Sequence, residues 1–522
     1  MTKRIIRIGT RGSELALWQA YFIQGELQKL GVTSELKIIK TKGDKILNLS
    51  FDKLEGKGFF TKEIEDSLIN NEIDLAVHSH KDLPTESPEG LVVAAVSERE
   101  IPNELLIINN ESVDDTQFLA VKKNAVIGTS SARRKSLLLS LRPDVTVKDI
   151  RGNVQTRLKK LNEGGFDAIL MAAAGITRLN IVPEAAKVVQ IDSDQFVPAP
   201  AQGVLAFQIR ETDSELSEIL SKVNNKESAD CISYERKFLN KFGGGCHSPL
   251  AAYCKFEDGK YKVWTALATE WNEVPKRLYY EFNDVKDRAE SMLKDFKKIS
   301  PKKVFISRKT EDVEVFNYNL TANKFDVSAK SLIKTEKIKF SSLPDCDWLF
   351  FSSRNAVKHF FEQKPEIKKG VKFAAIGDAT ALTLKNYVDT IDFVGDGKNI
   401  KTSAKAFGEI AQGKIVLFPQ AKDSLKSVQK QLSFDIKSKD LFVYKTSSIK
   451  DSKVNDCDIY VFTSPSNVEA FAEQNTFNNK AKYIAIGNTT AAKLKELKVK
   501  NIIVSHNTHQ FALLETVYRA AI

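Results

Sequence analysis

An aspartate and a lysine stand side by side in the segment HSHKDLP, residues 78–84, directly after the apolar run DLAV. A carboxylate flanked by cations can stabilise a positively charged intermediate and shuttle protons, so Asp82 and Lys81 are candidate catalytic residues. An ion-paired or helix-capping aspartate is the structural alternative. His78 and His80 would face the same side of a strand, but no carboxylate or cysteine accompanies them, and we expect no metal site.

The segment GTSSARRKS, residues 128–136, places hydroxyl groups and two arginines at a predicted helix start. Unpaired backbone N–H groups at a helix start favour anions, whereas cations are poorly placed there. Arg133 and Arg134 in the first turn therefore indicate that an anion occupies this site, with Thr129 and Ser131 beside it. A purely structural role for the two arginines is the alternative.

Arginines gather on predicted loops and helix starts in the first half of the chain. Residues 1–260 contain 12 arginines and residues 261–522 contain five. The planar guanidinium can bind a carboxylate through two parallel hydrogen bonds, whereas the lysine ammonium acts as a point charge. Six of the arginines are expected along one sheet edge, where they predict a ligand with several carboxylates: Arg11, Arg133, Arg134, Arg151, Arg157 and Arg178. Solvated surface arginine is the alternative for any one of them.

The segment KFGGGCHSPLA, residues 241–251, surrounds Cys246 with three glycines and basic residues. Glycines leave room for close approach to the thiol, and an exposed cysteine near cations can act as a nucleophile or an attachment point. A buried, inert cysteine is the common alternative, but three consecutive glycines do not suit a packed core. We therefore predict that Cys246 is an attachment point.

Strands and helices alternate over the first 220 or so residues, which predicts α/β layers around a largely parallel sheet. The strand-like runs include IIRIGT, DLAVHS, AVIGTS and DAILMAAAG, and amphipathic helices such as ELALWQAYFIQGELQKL lie between them. Ligands of such sheets bind beyond the carboxyl ends of the strands. The candidate segments lie at those ends, so these elements should bring the segments together.

From about Asn225 the pattern predicts a small α+β domain, with the helix ADCISYERKFLNKF before several strand-like runs. The segment SPKKVFISRK then restarts an α/β pattern. The second half contains a repeat: residues 349–362 resemble residues 461–473, and residues 374–387 resemble residues 484–497. The repeat predicts two duplicated α/β lobes with a cleft between them. Chance similarity of common strand–turn–helix patterns is the alternative.

Charge and composition narrow the classes of function. The chain has 522 residues, a net charge of +11 and an isoelectric point of about 9.0, which favours an anionic partner. Because its basic residues are dispersed and form no known nucleic-acid-binding motif, a small polyanionic substrate is favoured over nucleic acid. We see no membrane span, no signal peptide and no disulfide framework among five scattered cysteines, and we expect a cytoplasmic protein.

Together these segments resemble porphobilinogen deaminase, also called hydroxymethylbilane synthase, from Arg7 to about Ile299. The motifs RIGTRGSELALWQA, EGKGFFTKEIE, LAVHSHKDLP, GTSSARRKS, IRGNVQTRL, PAQGVLAFQIR and GGGCHSPLAAY occur in that family's order and spacing. The resemblance implies two lobes like those of periplasmic binding proteins and a third domain that carries the cysteine loop. Lobe 1 would comprise residues 1–100 and 200–220, lobe 2 residues 101–199, and the α+β cofactor-attachment domain residues 221–299.

The resemblance also implies the chemistry of the first half. Cys246 matches the cysteine whose sulfur holds a dipyrromethane cofactor; four porphobilinogen units are joined with loss of ammonia, and hydrolysis releases hydroxymethylbilane. Asp82 and Lys81 match residues that act in catalysis and at the cofactor. Further cofactor-binding matches are Ser131, Arg133 and Arg134. Substrate-binding matches, the last three in a loop over the cleft, are Arg11, Ser13, Thr129, Arg151, Arg157, Arg178, Lys53, Lys57 and Phe60.

Residues 303–522 are similar to uroporphyrinogen-III synthase through FFSSRNAV, AAIGDAT, VYKTSS, VFTSPSNV and AIGNTTAAKL, together with the repeat. The resemblance implies cyclisation of hydroxymethylbilane with inversion of its last ring. Lobe 1 of this bilobed, duplicated α/β module would comprise residues 301–336 and 447–522, and lobe 2 residues 337–446. Tyr444 matches a cleft tyrosine that is a candidate acid, with an ordinary strand-end aromatic as the alternative. Further candidates are Ser353, Asn355, Ser464, Asn467, Thr489 and Thr490.

We therefore expect a bifunctional, monomeric enzyme of tetrapyrrole synthesis that binds porphobilinogen and hydroxymethylbilane, without nucleic-acid or membrane partners. Two alternatives stay open. The second half could bind a tetrapyrrole without closing it, or the chain could be a bilobed solute-binding protein. The Cys246 loop and the Asp82 segment argue against a solute-binding protein.

Overall fold

The computed structural model describes residues 4–41, 61–184, 186–243, 248–395, 400–433 and 435–522. The chain divides into two compact units. Unit 1 comprises Met1–Pro301 together with Val315–Phe325 and Leu514–Ile522. Unit 2 comprises Lys302–Glu314 and Asp326–Leu513.

The first sheet of unit 1 has the strand order β2-β1-β3-β10-β4. Its strands are β1 (Ile6–Thr10), β2 (Ser34–Ile38), β3 (Leu75–Ser79), β4 (Leu91–Val96) and β10 (Leu205–Arg210). Its helices are α1 (Glu14–Lys29), α2 (Lys62–Ile69) and α6 (Ser214–Ser221). Side chains alternate along β3: Leu75 and Val77 join the core under α1 and α6, whereas Ala76 joins the core under α2. The sheet is therefore covered on both faces.

The second sheet of unit 1 has the strand order β7-β6-β8-β5-β9. Its strands are β5 (Glu104–Asn109), β6 (Val126–Gly128), β7 (Thr146–Lys148), β8 (Ala168–Ala172) and β9 (Ala186–Ile191). Its helices are α3 (Ala132–Leu141), α4 (Val154–Asn162) and α5 (Ala173–Arg178). Buried residues of β5 and β8 form one core cluster with Leu161 of α4 and Ile176 of α5.

The third part of unit 1 is an antiparallel sheet with helices beside it. The strands are β11 (Leu250–Glu257), β12 (Lys260–Leu267) and β13 (Lys276–Phe282), in that order. The helices are α7 (Lys226–Phe242) and α8 (Arg288–Lys298). Tyr234 and Phe238 of α7 are buried together with Met292 and Phe296 of α8.

Unit 2 contains two sheets. One is wholly parallel, in the order β15-β14-β22-β23-β24, with β14 (Lys303–Ile306), β15 (Asp326–Ala329), β22 (Ile459–Phe462), β23 (Lys482–Ala485) and β24 (Ile502–Val504). The other has the order β16-β21-β20-β17-β18-β19, with β16 (Ile333–Lys337), β17 (Trp348–Phe351), β18 (Lys372–Ala375), β19 (Phe393–Val394), β20 (Ile415–Ala421) and β21 (Lys437–Ser448). Only β16 runs antiparallel to its neighbour among these described strands.

The repeat seen in the sequence corresponds to the same run of elements in both sheets. The remaining helices are α9 (Glu314–Ala322), α10 (Arg354–Phe361), α11 (Asp378–Leu384), α12 (Ile400–Ile410), α13 (Pro465–Gln474), α14 (Asn488–Glu496) and α15 (Gln510–Ala520). β17–α10–β18–α11 repeats as β22–α13–β23–α14. The first helix of each run is capped by a serine, Ser353 or Ser464, and the second by a glycine, Gly377 or Gly487.

The predicted fold class is confirmed, because α/β layers build both units and an α+β part completes the first. The expectation of largely parallel sheets is wrong for unit 1. There, β10 pairs antiparallel with β3 and β4, and β5 pairs antiparallel with β8 and β9. The chain reaches β5 directly from the first sheet and β10 directly from the second sheet. Neither strand therefore follows a βαβ connection within its own sheet, which would make it parallel to its neighbour.

The carboxylate of Asp74 ties β1, β3 and β10 of the first sheet together. It forms ion pairs with Arg4 at 2.6 Å, Arg7 at 2.9 Å and Arg210 at 2.8 Å. Burial favours the neutral acid, but hydrogen bonds from the three arginines outweigh it and hold the pKa of Asp74 well below its usual range. Asp74 is therefore ionised in the folded protein and anchors the strand that leads to the Asp82 segment.

Replacing Asp74 with asparagine should lower the free energy of unfolding at neutral pH by about 3 kcal/mol, because three arginines lose a buried counter-ion. The pKa of Asp74 is lower in the folded state than the unfolded value of about 3.9. Its stabilising contribution is therefore present above that value and lost as the pH falls towards the folded pKa. Urea unfolding at neutral pH and at about pH 3 measures both effects, with exposed Asp66→Asn as the control. Equal stability of the Asp74 variant and wild type at both pH values would contradict this role.

Candidate active site

Asp82 lies in a short 3-10 turn, His80–Asp82, that directly follows β3, and its side chain is exposed. The guanidinium of Arg236, on α7, donates to the backbone carbonyl oxygens of His80 and Leu83, both at 3.2 Å. It also donates to the carbonyl oxygen of Pro84. One side chain thus holds three backbone carbonyls around Asp82. Sequence reasoning missed Arg236, because nothing in the helix pattern SYERKF separates it from a surface arginine.

The two histidines near Asp82 do not share a strand face as expected. β3 ends at Ser79, so His80 belongs to the turn while His78 stays on the strand. Both are buried; burial lowers the pKa of His78 to about 4 and that of His80 well below its usual value. Neither adds charge at neutral pH, and no group of three metal-ligating side chains occurs among the residues that the structure describes.

Lys81 points towards the buried polar residues of unit 1. Its ammonium donates to Oε1 of Gln202 at 3.3 Å. Burial lowers the pKa of Lys81 to about 8; Asp82 and Glu104 act against this shift, while Arg134 and Arg133 add to it. Lys81 is therefore mostly protonated at neutral pH but close to its titration range.

Glu104, the first residue of β5, is fully buried and forms ion pairs with Arg133 and Arg134. Its Oε1 accepts from Arg133 at 2.6 Å and from the amide of Gln202 at 3.1 Å, and its Oε2 pairs with Arg134 at 2.7 Å. Burial raises the pKa of Glu104, but attraction by Arg134, Arg133 and Lys81 outweighs it and brings the pKa to about 2. The sequence analysis missed Glu104, which no motif marks.

Arg133 and Arg134 stand in the first turn of α3, as predicted, and Ser131 caps that helix by accepting from the backbone N–H of Arg134 at 3.5 Å. Besides Glu104, Arg133 donates to the carbonyl of Val197 at 2.9 Å and Arg134 to that of Leu170 at 3.2 Å. Both guanidinium groups are thus buried inside the protein. Their position at a helix start predicted a nearby anion, and the carboxylate of Glu104 supplies at least part of that negative charge.

Arg151 precedes the cap residue of α4, and Arg157 is the fourth residue of that helix. The Nε–H of Arg157 donates to the carbonyl of Gly152 at 2.9 Å. The pKa of Arg157 is lowered to about 10, chiefly by burial and also by the charges of Arg134 and Arg151, while the charge of Asp82 opposes this shift. Arg134, Arg151 and Asp82 therefore each lie within electrostatic reach of Arg157. Gly152 has a φ of +118°, a conformation that side chains rarely adopt, and this turn places both arginines.

The remaining predicted residues of the first half are distributed more widely. Arg178 donates to the carbonyl of Gly203 at 2.6 Å and lies 5.5 Å from the ring of Trp18, and burial lowers its pKa to about 10. Neither contact involves a residue of the His80–Asp82 turn. Arg11 follows β1 and is partly exposed. Ser13 caps α1 through the N–H of Ala16, and Thr129 is buried in the turn before α3.

Four of the predicted residues lie outside the described part of the chain: Cys246, Lys53, Lys57 and Phe60. On either side of Cys246, α7 ends at Phe242 and β11 begins at Leu250.

In unit 2 the structure brings together two of the predicted residues, Tyr444 and Ser353. Their hydroxyl oxygens are 3.3 Å apart, and Ser353 also caps α10 through the N–H of Ala356 at 3.1 Å. The ring of His359 stacks on Tyr444 with centroids 5.3 Å apart, and its Nε2 lies 2.8 Å from the Thr335 hydroxyl. Burial raises the pKa of Tyr444, and the bond with Ser353 opposes this only in part. Tyr444 therefore keeps its proton at neutral pH.

The other predicted residues of unit 2 have separate positions. Ser464 caps α13 through the N–H of Asn467 at 3.2 Å, and the side-chain oxygen of Asn467 accepts from the N–H of Leu332 at 3.1 Å. Asn467 is thus committed to the backbone. Thr489 is exposed and Thr490 is buried, so only the first of the pair is open to a ligand; Asn355 is also exposed.

Two arginines that the sequence analysis did not select lie near each other in unit 2. Arg308 follows β14, and Arg354 begins α10, where it pairs with Asp312 at 3.2 Å. Burial lowers the pKa of Arg308, and the neighbouring charge of Arg354 lowers it further. Two adjacent guanidinium groups form a candidate anion site. The sequence could have identified both arginines, because Arg308 follows a strand and Arg354 begins a helix. The candidate arginines of the first half were selected by the same positions.

No helix among the described residues combines the length and the apolar character that a membrane crossing requires.

Comparison with known proteins relates both units to enzyme families. A family model described as "Porphobilinogen deaminase, dipyromethane cofactor binding domain" matches residues 6–218, and one described as "Uroporphyrinogen-III synthase HemD" matches residues 314–515. The porphobilinogen deaminase of a Nitratiruptor species is 46% identical over 246 residues, 47% of this chain and 77% of the relative. That of Chloroherpeton thalassium is 44% identical over 269 residues, 51% of this chain and 84% of the relative.

Among solved structures, the chain is similar to uroporphyrinogen-III synthetase from Helicobacter pylori 26695, with 21% identity and a TM-score of 0.34. That match covers 42% of this chain and 99% of the other. It is also similar to the periplasmic VFT2 domain of Bordetella pertussis BvgS, with 14% identity, a TM-score of 0.28, and 44% and 93% of the two chains covered.

Replacing Glu104 with glutamine removes the negative charge that Arg133, Arg134 and Lys81 share, while keeping the shape of the side chain. We expect the free energy of unfolding to fall by about 3 kcal/mol, since buried guanidinium groups lose their counter-ion. The pKa of Lys81 should drop further below about 8, because Glu104 raises it. Urea unfolding and competitive labelling of the Lys81 amine across pH measure the two changes.

The matched control for this experiment is Glu98→Gln, because Glu98 is exposed and close in sequence. It should leave both quantities at their wild-type values. An unchanged labelling curve for Lys81 together with unchanged stability in the Glu104 variant would show that Glu104 does not balance these cations.

Proposed function

This chain belongs to the porphobilinogen deaminase family and carries a uroporphyrinogen-III synthase domain, and from that premise we propose that it catalyses two consecutive steps of tetrapyrrole synthesis. Unit 1 joins four porphobilinogen molecules into hydroxymethylbilane with release of ammonia. Unit 2 closes hydroxymethylbilane to uroporphyrinogen III with loss of water. The observation that carries the proposal is the position of Asp82, an exposed carboxylate, within electrostatic reach of Lys81 and Arg157.

Positive charge is the main requirement for binding the substrate in unit 1. Each porphobilinogen has two carboxylates, so the growing product gains two negative charges with every addition. Arg157 and Lys81 supply positive charge near Asp82, and their desolvated surroundings strengthen its attraction for carboxylates. Arg151, whose charge acts on Arg157, is proposed to add to it. Arg11 and Arg178 are proposed to hold further carboxylates along the same edge.

The residues of unit 1 fit a dipyrromethane, the group named in the matched family model. Two linked pyrroles carry four carboxylates, and the Nε–H of Arg134 is buried and makes no hydrogen bond with any described residue, so a donor remains available. Arg134, Ser131 and Lys81 hold the acidic side chains in this proposal, and the sulfur of Cys246 is the attachment point. When bound, the group supplies the pyrrole carbon to which substrate is joined.

Asp82 stabilises the positive charge and accepts the proton in the proposed reaction of unit 1. Positive charge develops on the pyrrole of porphobilinogen when its aminomethyl group leaves as ammonia, and the exposed carboxylate stabilises that charge. The same carboxylate accepts the proton that the ring carbon releases after the new carbon–carbon bond has formed. Arg236 keeps the turn in place during both events by holding its backbone carbonyls.

Tyr444 is the proposed acid in unit 2. Its raised pKa keeps the phenol protonated, so it can give its proton to the hydroxyl that leaves hydroxymethylbilane. Ser353, at 3.3 Å, orients the phenol. Arg308 and Arg354, together with Ser464 and Thr489, are proposed to bind the carboxylates of the substrate.

The union of both activities in one chain has a physical reason. Hydroxymethylbilane closes spontaneously to the wrong isomer, and a tethered second site raises the chance that the released molecule meets it first. The lobe boundaries given above, the monomeric state and a cytoplasmic location are parts of the same proposal.

Intact-mass measurement tests the attachment at Cys246. After incubation with porphobilinogen, the purified chain should carry a mass excess equal to one dipyrromethane, because the thioether survives denaturation. The Cys246→Ser variant should show the bare mass and no porphobilinogen consumption. Cys457→Ser is the control, since Cys457 is a partly exposed cysteine of the other unit. A bare wild-type mass after that incubation, or an excess retained in Cys246→Ser, would refute the attachment.

The isomers formed from porphobilinogen test the second activity and the role of Tyr444. Wild type should give isomer III. Tyr444→Phe should consume porphobilinogen at the wild-type rate but close hydroxymethylbilane about a hundredfold more slowly, because the general acid is lost, and isomer I should accumulate. Separation of the oxidised porphyrins by liquid chromatography measures the ratio, and Tyr387→Phe, at an exposed tyrosine, is the control.

The same assay separates the alternatives. Isomer I alone from the wild-type chain would leave only the deaminase, with a second half that does not catalyse closure. No porphyrin from the wild-type chain would refute both activities.

A further inference from the structure

Unit 1 includes residues from the far end of the chain. Val315–Phe325 and Leu514–Ile522 belong to this unit, and both overlap the span that matches uroporphyrinogen-III synthase. Glu515 of α15 is fully buried in unit 1 and forms an ion pair with Arg277 of β13, which is also fully buried. The Nε and NH2 groups of Arg277 both donate to Oε1 of Glu515, at 3.0 and 2.9 Å.

Arg277 also binds the crossover segment, which we define as residues 192–204, between β9 of the second sheet and β10 of the first. Its guanidinium donates to the carbonyl of Gln195 at 2.6 Å and to that of Asp194. These two carbonyls lie at the start of the crossover segment. Arg277 therefore joins three parts of unit 1: the antiparallel sheet, the crossover segment and the last helix.

The crossover segment supplies partners to the charged residues of the proposed deaminase site. The carbonyl of Val197 accepts from Arg133, and that of Gly203 accepts from Arg178. The side chain of Gln202 accepts from Lys81 and donates to Glu104. A shift of this segment would therefore move several binding groups at once.

A buried guanidinium needs a counter-ion, because removing its charge from water costs several kcal/mol. Glu515 is the carboxylate that pairs with Arg277 in the structure. Without it, Arg277 would be driven towards water and away from Gln195. Glu515 thus supports the contact that Arg277 makes with Asp194 and Gln195 at the start of the crossover segment.

A second contact from the same distant segments supports the site. Asn319 of α9 donates to the carbonyl of Ser140 at 2.7 Å, near the end of α3, the helix whose first turn carries Arg133 and Arg134. The hydroxyl of Tyr518, on α15, donates to the carbonyl of Asn319 at 3.2 Å. The two distant segments therefore bind each other, and the first of them also binds α3.

We propose that Glu515 is a positioning residue for the reaction of unit 1, although it lies 238 residues beyond Arg277 in the chain. It keeps the guanidinium of Arg277 in place, Arg277 holds the crossover segment, and that segment sets the positions of Lys81 and Glu104. This inference rests on the proposed deaminase activity. It makes the first reaction depend on residues that belong, by sequence, to the second half.

The test uses the full-length chain with Glu515→Gln, which keeps the size of the side chain and removes its charge. At a temperature well below unfolding, kcat for porphobilinogen consumption should fall roughly ten- to hundredfold, the scale expected when catalytic groups are displaced by about 1 Å. The KM should change little, and intact-mass spectra should show partly extended intermediates. Closure of separately supplied hydroxymethylbilane should keep its wild-type rate.

A second variant and a control accompany this measurement. Arg277→Lys should give the same loss, because one ammonium cannot serve Glu515, Asp194 and Gln195 together. Arg519→Gln, on the same helix but exposed, should keep the wild-type kcat.

The outcomes separate the inference from the function on which it rests. An active wild type whose Glu515→Gln variant consumes porphobilinogen within twofold of the same rate overturns the inference alone. A parallel loss of both activities also overturns it, since that pattern indicates general destabilisation. A wild-type chain that consumes no porphobilinogen removes the proposed function itself.

Discussion

The buried carboxylate of Glu104 balances positive charge that unit 1 holds away from water, and the arrangement of the proposed deaminase site depends on that balance. Two guanidinium groups meet this one side chain at 2.6 and 2.7 Å. A site for a polyanion must concentrate cations before the ligand arrives, and those cations repel each other. An internal carboxylate lowers that repulsion within the fold, and Arg151 and Arg157 are proposed to bind the ligand.

The crossover segment positions the charged residues around Glu104. It is held near one end by Arg277 and near the other by Glu235 of α7, which accepts from the N–H of Ala201 at 2.6 Å and pairs with Arg99. The residue after Glu235 is Arg236, which holds the turn of Asp82. One helix therefore fixes both the crossover segment and the turn of the proposed proton carrier, and it ends at Phe242, before Cys246.

Unit 2 achieves its proposed chemistry with fewer charges. Serines cap the first helix of each repeat, and one of them, Ser353, also meets Tyr444. Caps of this kind follow from the duplicated strand–turn–helix run, so a fold duplication places hydroxyl groups at equivalent positions in both lobes. Arg308 and Arg354 add the positive charge that a ligand with many carboxylates requires.

Local patterns in the sequence determined the α/β class, the repeat of the second half and the helix starts at Ser131 and Ser353, because periodicity and capping depend on residues a few positions apart. They also selected Asp82 and the arginines near it. Only the tertiary structure decided that β5 and β10 pair antiparallel with their neighbours and that Thr490 is buried. It also decided that Glu104 pairs with Arg133 and that Glu515 pairs with Arg277. Glu104 is 29 residues from Arg133, and Glu515 is 238 residues from Arg277. Burial and ion pairing join residues distant in the chain, so no local pattern can reveal them.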